Sequence, residues 1–399
     1  MKIGILREEK NPPDKRVALT PTQCKWILNN TSLDLVVQTS NVRCFSDKEY
    51  MEKGIKVVEN LSDCDVLIGI KEVSKSSFIQ DKTYFYFSHT IKQQSYNRSL
   101  LQKMIEKNIR MIDYEVLKDR NNKRLLGFGR YAGIVGSYNA LLTYGLKSDK
   151  YKIKAAHKCD GRKEVESELQ KIKLDKEKIL LTGKGRVADG SLEILKSAEI
   201  KEVSKAEYLS NSFNEAVFCR LETLDYIERI DGSKSEKFDF YTHPEKYKSS
   251  FMKYASCTDI FIAGHFYGLD SPYLFTREDA KSDNFKIKVI ADISCDIDGP
   301  VASTIRSSTI SDPIYGYNPE IEKEDDFRKD GVIAVMAIDN LPCELPKDAS
   351  EDFGYEFIDK ILLNLIGEDK DHVLKRATIC EEGNLTSNFE YLRDYLNGN

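Results

Sequence analysis

The sequence predicts an α/β protein in which doubly wound parallel sheets are covered by helices. Short apolar runs alternate with amphipathic helical segments through the first third of the chain. The same alternation resumes near residue 178, and there a glycine-rich turn joins a strand directly to a helix. Parallel strands need such crossover helices, so the pattern argues for sheets buried on both faces.

In the first third, "KIGIL", "LDLVVQ", "IKVVE", "DVLIGI" and "TYFYFS" read as strands. Between them, "TPTQCKWILNN" places Thr20 before Pro21, a cap followed by proline at the first helical position. "SYNRSLLQKMIEKN" spaces its apolar residues as a helix does. A long helix, "RYAGIVGSYNALLTYGLK", runs into a charged stretch over 147–178, the second half of which reads as a solvated helix and linker. "KILLT" then opens the second alternation, with "AVFCRL", "DIFIAGHF", "KVIADIS" and "GVIAVMAIDNLP" as further buried strands. The polar, aromatic segment Asp225–Tyr254 lacks a clear period and reads as an insertion, and the tail from Ala349 reads as helices.

Composition narrows the class. With 399 residues the chain has room for two or three domains, and 41% apolar residues supply proper cores. The net charge of -5 is small and mixed in sign, without a basic block, which argues against nucleic acid as a partner. The opening "MKIGILREEK" lacks the apolar core of a signal peptide, and no stretch approaches the ~18 apolar residues of a membrane span. Nine scattered cysteines without a CxxC point to reduced thiols in the cytoplasm, not to disulfides or a metal site. Cys24, Cys64, Cys219 and Cys257 sit in apolar surroundings as core filling. A homo-oligomer stays open.

Gly183, Gly185 and Ala188 in "GKGRVA" satisfy G-x-G-x-x-[GA], with Arg186 inside the turn. The first glycine permits the tight turn and the second lets the backbone approach a pyrophosphate. The small third residue lets helix and strand pack closely. The plain alternative is a structural turn without a ligand. An acid is expected about 20 residues on, where Val203 stands between Glu202 and Ser204. Glu202 would bond ribose hydroxyls and suit NAD; Ser204 with Lys205 would suit the extra phosphate of NADP. The cofactor is therefore NAD or NADP.

The buried run "VLIGI" stops on Lys71 and Glu72. Either the strand has met water, or its end reaches a ligand where a cleft opens. Wider features favour the second reading. "ILREEKNPPDKRVALTPTQ" resembles the amino-terminal signature of the alanine dehydrogenase, transhydrogenase and saccharopine dehydrogenase superfamily. "LIGIKEV", "FSHTIK", "IDYEVL" and "FGRYAGIVG" resemble the lysine-forming saccharopine dehydrogenases and the lysine–2-oxoglutarate reductases most closely. "ADISCDIDG" and "AIDNLPCELPKDAS" continue the likeness in order, from Met1 to about Leu365, most weakly over 145–178 and 205–256.

The resemblance implies two Rossmann-like doubly wound domains facing a cleft. A discontinuous substrate domain would span 1–129 and 336–399, and a dinucleotide-binding domain 130–335. It implies that Lys71 and His89 are the acid–base pair, Lys71 serving the carbinolamine oxygen and His89 the amine nitrogen, with Glu72 modulating Lys71 and Glu115 as a further carboxylate. Arg16 and Arg124 would hold substrate carboxylates, with Lys92 as another cation. Asp296 and Asp339 would lie at the nicotinamide end, while Asp292 is structural. Asp296 and Asp298 lack the His or Cys companions of a metal site, so no metal is expected. The implied activity, in lysine metabolism, is oxidation of saccharopine to lysine and 2-oxoglutarate, in either direction; alanine dehydrogenase is the alternative. A third reading, a module that kept the fold without chemistry, fits poorly with Arg16, Lys71, His89 and Asp296 occurring together.

Overall fold

The first sheet is built outward from β1 (Lys2–Ile5). This strand pairs in parallel with β2 (Asp34–Gln38) on one side, which carries β3 (Lys56–Val58) outside it. On its other side come β4 (Val66–Ile68), β5 (Thr83–Tyr86) and β6 (Arg110–Asp113), all parallel. The chain in this computed structural model is described over residues 1–71, 73–268 and 270–398. It divides into two units, one of Met1–Phe128 with Pro346–Asn399 and one of Gly129–Leu345.

Helices cover the first sheet as the sequence predicts. α1 (Pro21–Asn30) starts with a reciprocal cap: the Thr20 hydroxyl accepts from the Gln23 amide, and the Gln23 side chain accepts from the Thr20 amide at 2.9 Å. Gln23 also donates to the Glu351 carbonyl at 2.7 Å. This ties α1 to a helix from the far end of the chain. α2 (Arg98–Glu106) buries Leu100, Leu101 and Met104 on its apolar face.

The second unit opens with α3 (Gly129–Ser148). The charged stretch forms α4 (Arg162–Leu169), which buries Val165 and Leu169 and is thus more than a solvated linker. β7 (Lys178–Thr182) leads through the glycine turn into α5 (Arg186–Ser197), then β8 (Lys201–Glu202), α6 (Lys205–Ser210) and β9 (Val217–Leu221). Segment 225–254 forms an antiparallel pair, β10 (Ile227–Arg229) with β11 (Tyr247–Ser249), around a short helix, α7 (Lys237–Thr242). Its Tyr226, Phe240, Tyr247, Phe251 and Tyr254 are buried in this unit's core, Phe251 lying 4.9 Å from Phe261. The aromatics that obscured a period are what anchor the segment.

β12 (Ile260–Ala263), β13 (Val289–Asp292), β14 (Tyr315–Asn318), β15 (Lys323–Asp325) and β16 (Ile333–Met336) complete a sheet in the order 15-14-16-13-12-7-9-8. All its pairings are parallel except those of β14.

The chain then returns to the first unit through α8 (Pro346–Phe357). The tail is not helical throughout. β17 (Thr378–Glu381) pairs antiparallel with β6, and β18 (Asn384–Leu385) pairs with β17. Glu382 and Gly383 both have positive φ, the conformation of a two-residue hairpin turn that matches strand twist. A four-residue strand directly after a short helix leaves no periodicity to read. Each unit is thus an α/β doubly wound sheet of eight strands. Among the described residues no helix is long and apolar enough to cross a membrane, and all nine cysteines are free.

α3 and α5 pack backbone to backbone. A Cβ on Gly133 would lie 1.8 Å from the Val187 carbonyl oxygen, and one on Gly190 would lie 2.0 Å from that of Arg130. Gly133→Ala should therefore force the helices apart and destabilise the protein by about 2–3 kcal/mol, as overpacked cores do. Urea unfolding measures this, and an unchanged midpoint would show that the helices separate at no cost.

Candidate active site

Parallel β4, β5 and β6 are neighbours, so their carboxyl ends lie side by side on one edge of the sheet. Lys71 follows β4, His89 follows β5 and Glu115 follows β6. The strand that ends on Lys71 thus delivers it to the edge where two other candidate groups emerge. Glu72 lies outside the described residues.

His89 has φ +56, a left-handed backbone that costs a histidine energy and must be held in place. Asp113, fully buried at the end of β6, holds it. One carboxylate oxygen accepts from the Ser88 amide at 2.9 Å and the Ser88 hydroxyl at 2.5 Å; the other accepts from the Glu115 amide at 2.7 Å. The residues beside His89 and Glu115 are thereby clipped together, and His89 Nδ1 stands 3.3 Å from Glu115 Oε2. Burial pushes the Asp113 carboxyl upward, opposed by these bonds.

Glu115 also draws in Lys92 Nζ at 3.7 Å and Arg124 Nη1 at 4.0 Å. Burial alone would raise its carboxyl. The bond to His89 and the charges of Lys92 and Arg124 outweigh burial and bring it down to about 2. Glu115 therefore stays an anion at working pH. The Arg124 guanidinium lies 5.4 Å above the Phe87 ring.

Arg16 is almost fully buried. It grips Asp14 with Nε at 3.0 Å and Nη2 at 2.5 Å, and it sits 4.1 Å over the Phe128 ring. One edge of its fork is thus already given to a carboxylate of the chain. Glu8, which follows β1, accepts from the backbone amides of Ile70 at 2.7 Å and Lys71 at 2.9 Å. It fixes the strand end that carries Lys71. Burial, then the charge of Asp14, pushes the Glu8 carboxyl up to about 8.

In the second unit, Gly183 has φ +109, and a Cβ there would lie 2.4 Å from the Gly264 carbonyl oxygen. Only glycine suits that turn. A Cβ on Gly185 would meet nothing within 4 Å. This is the open approach a pyrophosphate needs at the start of α5, where Arg186 is the first helical residue and Ala188 is fully buried. The residues present fit a dinucleotide. Glu202 ends β8, the outermost strand, with β9 between it and β7. Ser204 caps α6, its hydroxyl accepting from the Glu207 amide and donating to the Glu207 carboxylate at 2.6 Å. The strand next to β7 ends instead on Leu221 and Glu222, and Glu222 pairs with Lys184 of the glycine turn at 2.6 Å.

Asp296 and Asp339 are exposed in the loops after β13 and β16. Asp292 is fully buried, accepting from the Ser294 hydroxyl at 2.7 Å and the Thr304 hydroxyl at 2.7 Å. Among the described residues no group of His, Cys, Asp or Glu side chains is placed to hold a metal ion.

Sequence reasoning missed Glu8, Asp113 and Glu222. Glu8 and Asp113 each follow or end a buried strand, the same signal that marked Lys71. Glu222 had no signal until the strand order was known.

Residues 4–135 match the family model described as alanine dehydrogenase/PNT, N-terminal domain. Along 98% of its length the chain is 30% identical to an α-aminoadipic semialdehyde synthase of Arabidopsis thaliana, spanning 41% of that protein. It is 26% identical to the NAD(+), L-lysine-forming saccharopine dehydrogenase of Schizosaccharomyces pombe, over 90% of this chain and 91% of that one. An L-alanine dehydrogenase structure shares the fold at a TM-score of 0.64 and 15% identity, covering 99% of this chain and 100% of that one. The first third of the chain thus matches the alanine dehydrogenase/PNT amino-terminal domain, and the chain as a whole is similar to saccharopine dehydrogenases and to part of the α-aminoadipic semialdehyde synthases.

Two measurements test this geometry. A carboxyl depressed in the folded state stabilises above its unfolded value and loses that contribution as pH falls through its folded value. Glu115→Gln should therefore destabilise the protein at pH 7, by about 1–2 kcal/mol after allowance for partial exposure. The difference should fade between pH 4.5 and about 2. A difference that stays undiminished down to pH 2 would show that packing, not charge, holds this cluster.

Gly185→Val should fold normally, because its side chain enters open space. It should lose NAD(P)H binding in a fluorescence titration, because that space is where the pyrophosphate would lie. Unchanged affinity would make the turn purely structural.

Proposed function

We propose that the chain is an NAD(P)-dependent oxidoreductase acting on the C–N bond of an amino acid derivative. Its substrate is saccharopine, interconverted with lysine and 2-oxoglutarate. The observation that carries this reading is the gathering of Lys71, His89 and Glu115 on three adjacent strand ends, with Lys92 and Arg124 drawn to the same carboxylate. The near full-length likeness to a fungal saccharopine dehydrogenase supports it. The nine free thiols fit a cytoplasmic setting.

Joining an amine to a 2-oxo acid requires addition to the carbonyl, loss of water from the carbinolamine, and reduction of the imine. The dinucleotide, when bound, supplies the hydride for that reduction. The other demands are proton transfers and charge binding. Lys71 protonates the carbinolamine oxygen as water leaves and takes that proton back in the reverse direction. With Nδ1–H donating to Glu115, His89 presents a basic Nε2 that exchanges a proton with the amine nitrogen. Glu115 remains an anion throughout, so it orients the imidazole without competing for the proton.

Arg124 and Lys92 are the donors for substrate carboxylates, which an arginine fork binds in two parallel bonds. Arg16, with one edge on Asp14 and its face over the Phe128 ring, is assigned to a substrate carboxylate as well. Asp296 and Asp339 are assigned to the nicotinamide side of the cofactor, and Glu72 to tuning Lys71.

Steady-state turnover of NADH and NADPH decides between substrates. Lysine with 2-oxoglutarate should be reduced at least about tenfold more efficiently than ammonium with pyruvate, since a second substrate carboxylate satisfies a second cation. Lys71→Met should cut kcat by ~10²–10⁴ if it is the acid–base group. A loss below about threefold with folding intact would return Lys71 to the solvated surface. Turnover of pyruvate and ammonium alone would replace this reading with alanine dehydrogenase.

A further inference from the structure

The strand order of the second unit points to the residue that selects the cofactor. In a doubly wound sheet, the pyrophosphate lies at the turn after the first strand, and an acid at the end of the neighbouring strand accepts the adenosine ribose hydroxyls. Chain order would make that neighbour β8, which ends on Glu202. In the structure β9 pairs with β7, Thr182 opposite Leu221, while β8 is displaced outward to pair with β9. Strands are about 4.8 Å apart, so Glu202 stands roughly two strands, about 10 Å, from the strand that carries the turn. Glu222 stands one strand away. The Gly183 amide donates to the Leu221 carbonyl at 2.9 Å, which places Glu222 directly beside the first glycine.

Three cations at this edge, Lys184, Lys205 and Arg220, are already engaged, while Lys237 adds a further positive charge near Glu222 and lies over the Tyr241 ring. Lys184 donates to Glu222 Oε1 at 2.6 Å, and Lys205 to Asp225 Oδ1 at 2.6 Å. Arg220 donates to the Gly183 carbonyl at 2.9 Å and to Asp189 at 2.8 Å. The Ser204 hydroxyl is taken by Glu207. A 2′-phosphate would have to break these pairs and then sit beside the Glu222 carboxylate. A ribose diol brings two hydroxyl donors and no charge.

Resting on the cofactor reading above, we infer that Glu222 accepts the adenosine ribose hydroxyls and sets a preference for NAD(H) over NADP(H), with Lys184 holding its carboxylate beside the glycine turn. Fluorescence titration of the purified full chain with NADH and with NADPH tests this without turnover. The wild type should bind NADH at least about tenfold more tightly than NADPH, the scale of one like-charge contact avoided. Glu222→Gln should shrink that ratio by about tenfold, mainly by improving NADPH binding. Equal wild-type affinities, or a ratio that Glu222→Gln leaves within twofold, would overturn the assignment. So would loss of discrimination in Glu202→Gln in place of Glu222→Gln. Binding of neither dinucleotide to the wild type would remove the cofactor reading itself, and this assignment with it.

Discussion

Parallel pairing among β1, β4, β5 and β6 brings four carboxyl ends to one edge of a sheet, and the candidate site hangs on that constraint. Each strand releases a chemically active side chain within four residues of its last paired position: Glu8, Lys71, His89 and Glu115. A strand buried on both faces can carry little but apolar residues. Its end is the first place where charge becomes tolerable, which is why the charged groups cluster there.

Strand ends alone do not fix where their side chains stand. Two carboxylates do that. Asp113 binds backbone and hydroxyl donors beside His89 and Glu115, and Glu8 binds the amides of Ile70 and Lys71. Burying a carboxylate is unfavourable unless hydrogen bonds replace water. Here those bonds come from main chain that would otherwise be unpaired at the strand ends. The desolvation of Glu8 and Asp113 is thus offset by order imposed on the neighbouring loops. Glu115 differs, since it faces cations and stays charged.

The second unit applies the same edge logic to a glycine turn whose shape fits a pyrophosphate. Gly183 and Gly264 approach so closely that no side chain fits between them, while Gly185 faces open space. Close packing on one side of the turn and vacancy on the other give it shape. Arg220, reaching from β9 to the Gly183 carbonyl, ties that shape to the neighbouring strand.

Local chemistry along the chain was enough to identify most of this. Apolar runs marked the strands, Thr20–Pro21 marked a helix start, and glycine spacing marked the turn, because each signal lies within a few consecutive residues. Lys71, His89 and Glu115 were legible as candidates through short motifs, and Arg124 through the family resemblance, but not their mutual distances. The hairpin at 378–385 and the core role of 225–254 were not legible, since both depend on partners far away in sequence. The choice between Glu202 and Glu222 is the sharpest case. That a strand, a glycine turn and a helix stand in succession can be read along the chain; which later strand pairs with the first emerges only on folding, because hydrogen bonding between strands is a long-range contact that chain order does not specify.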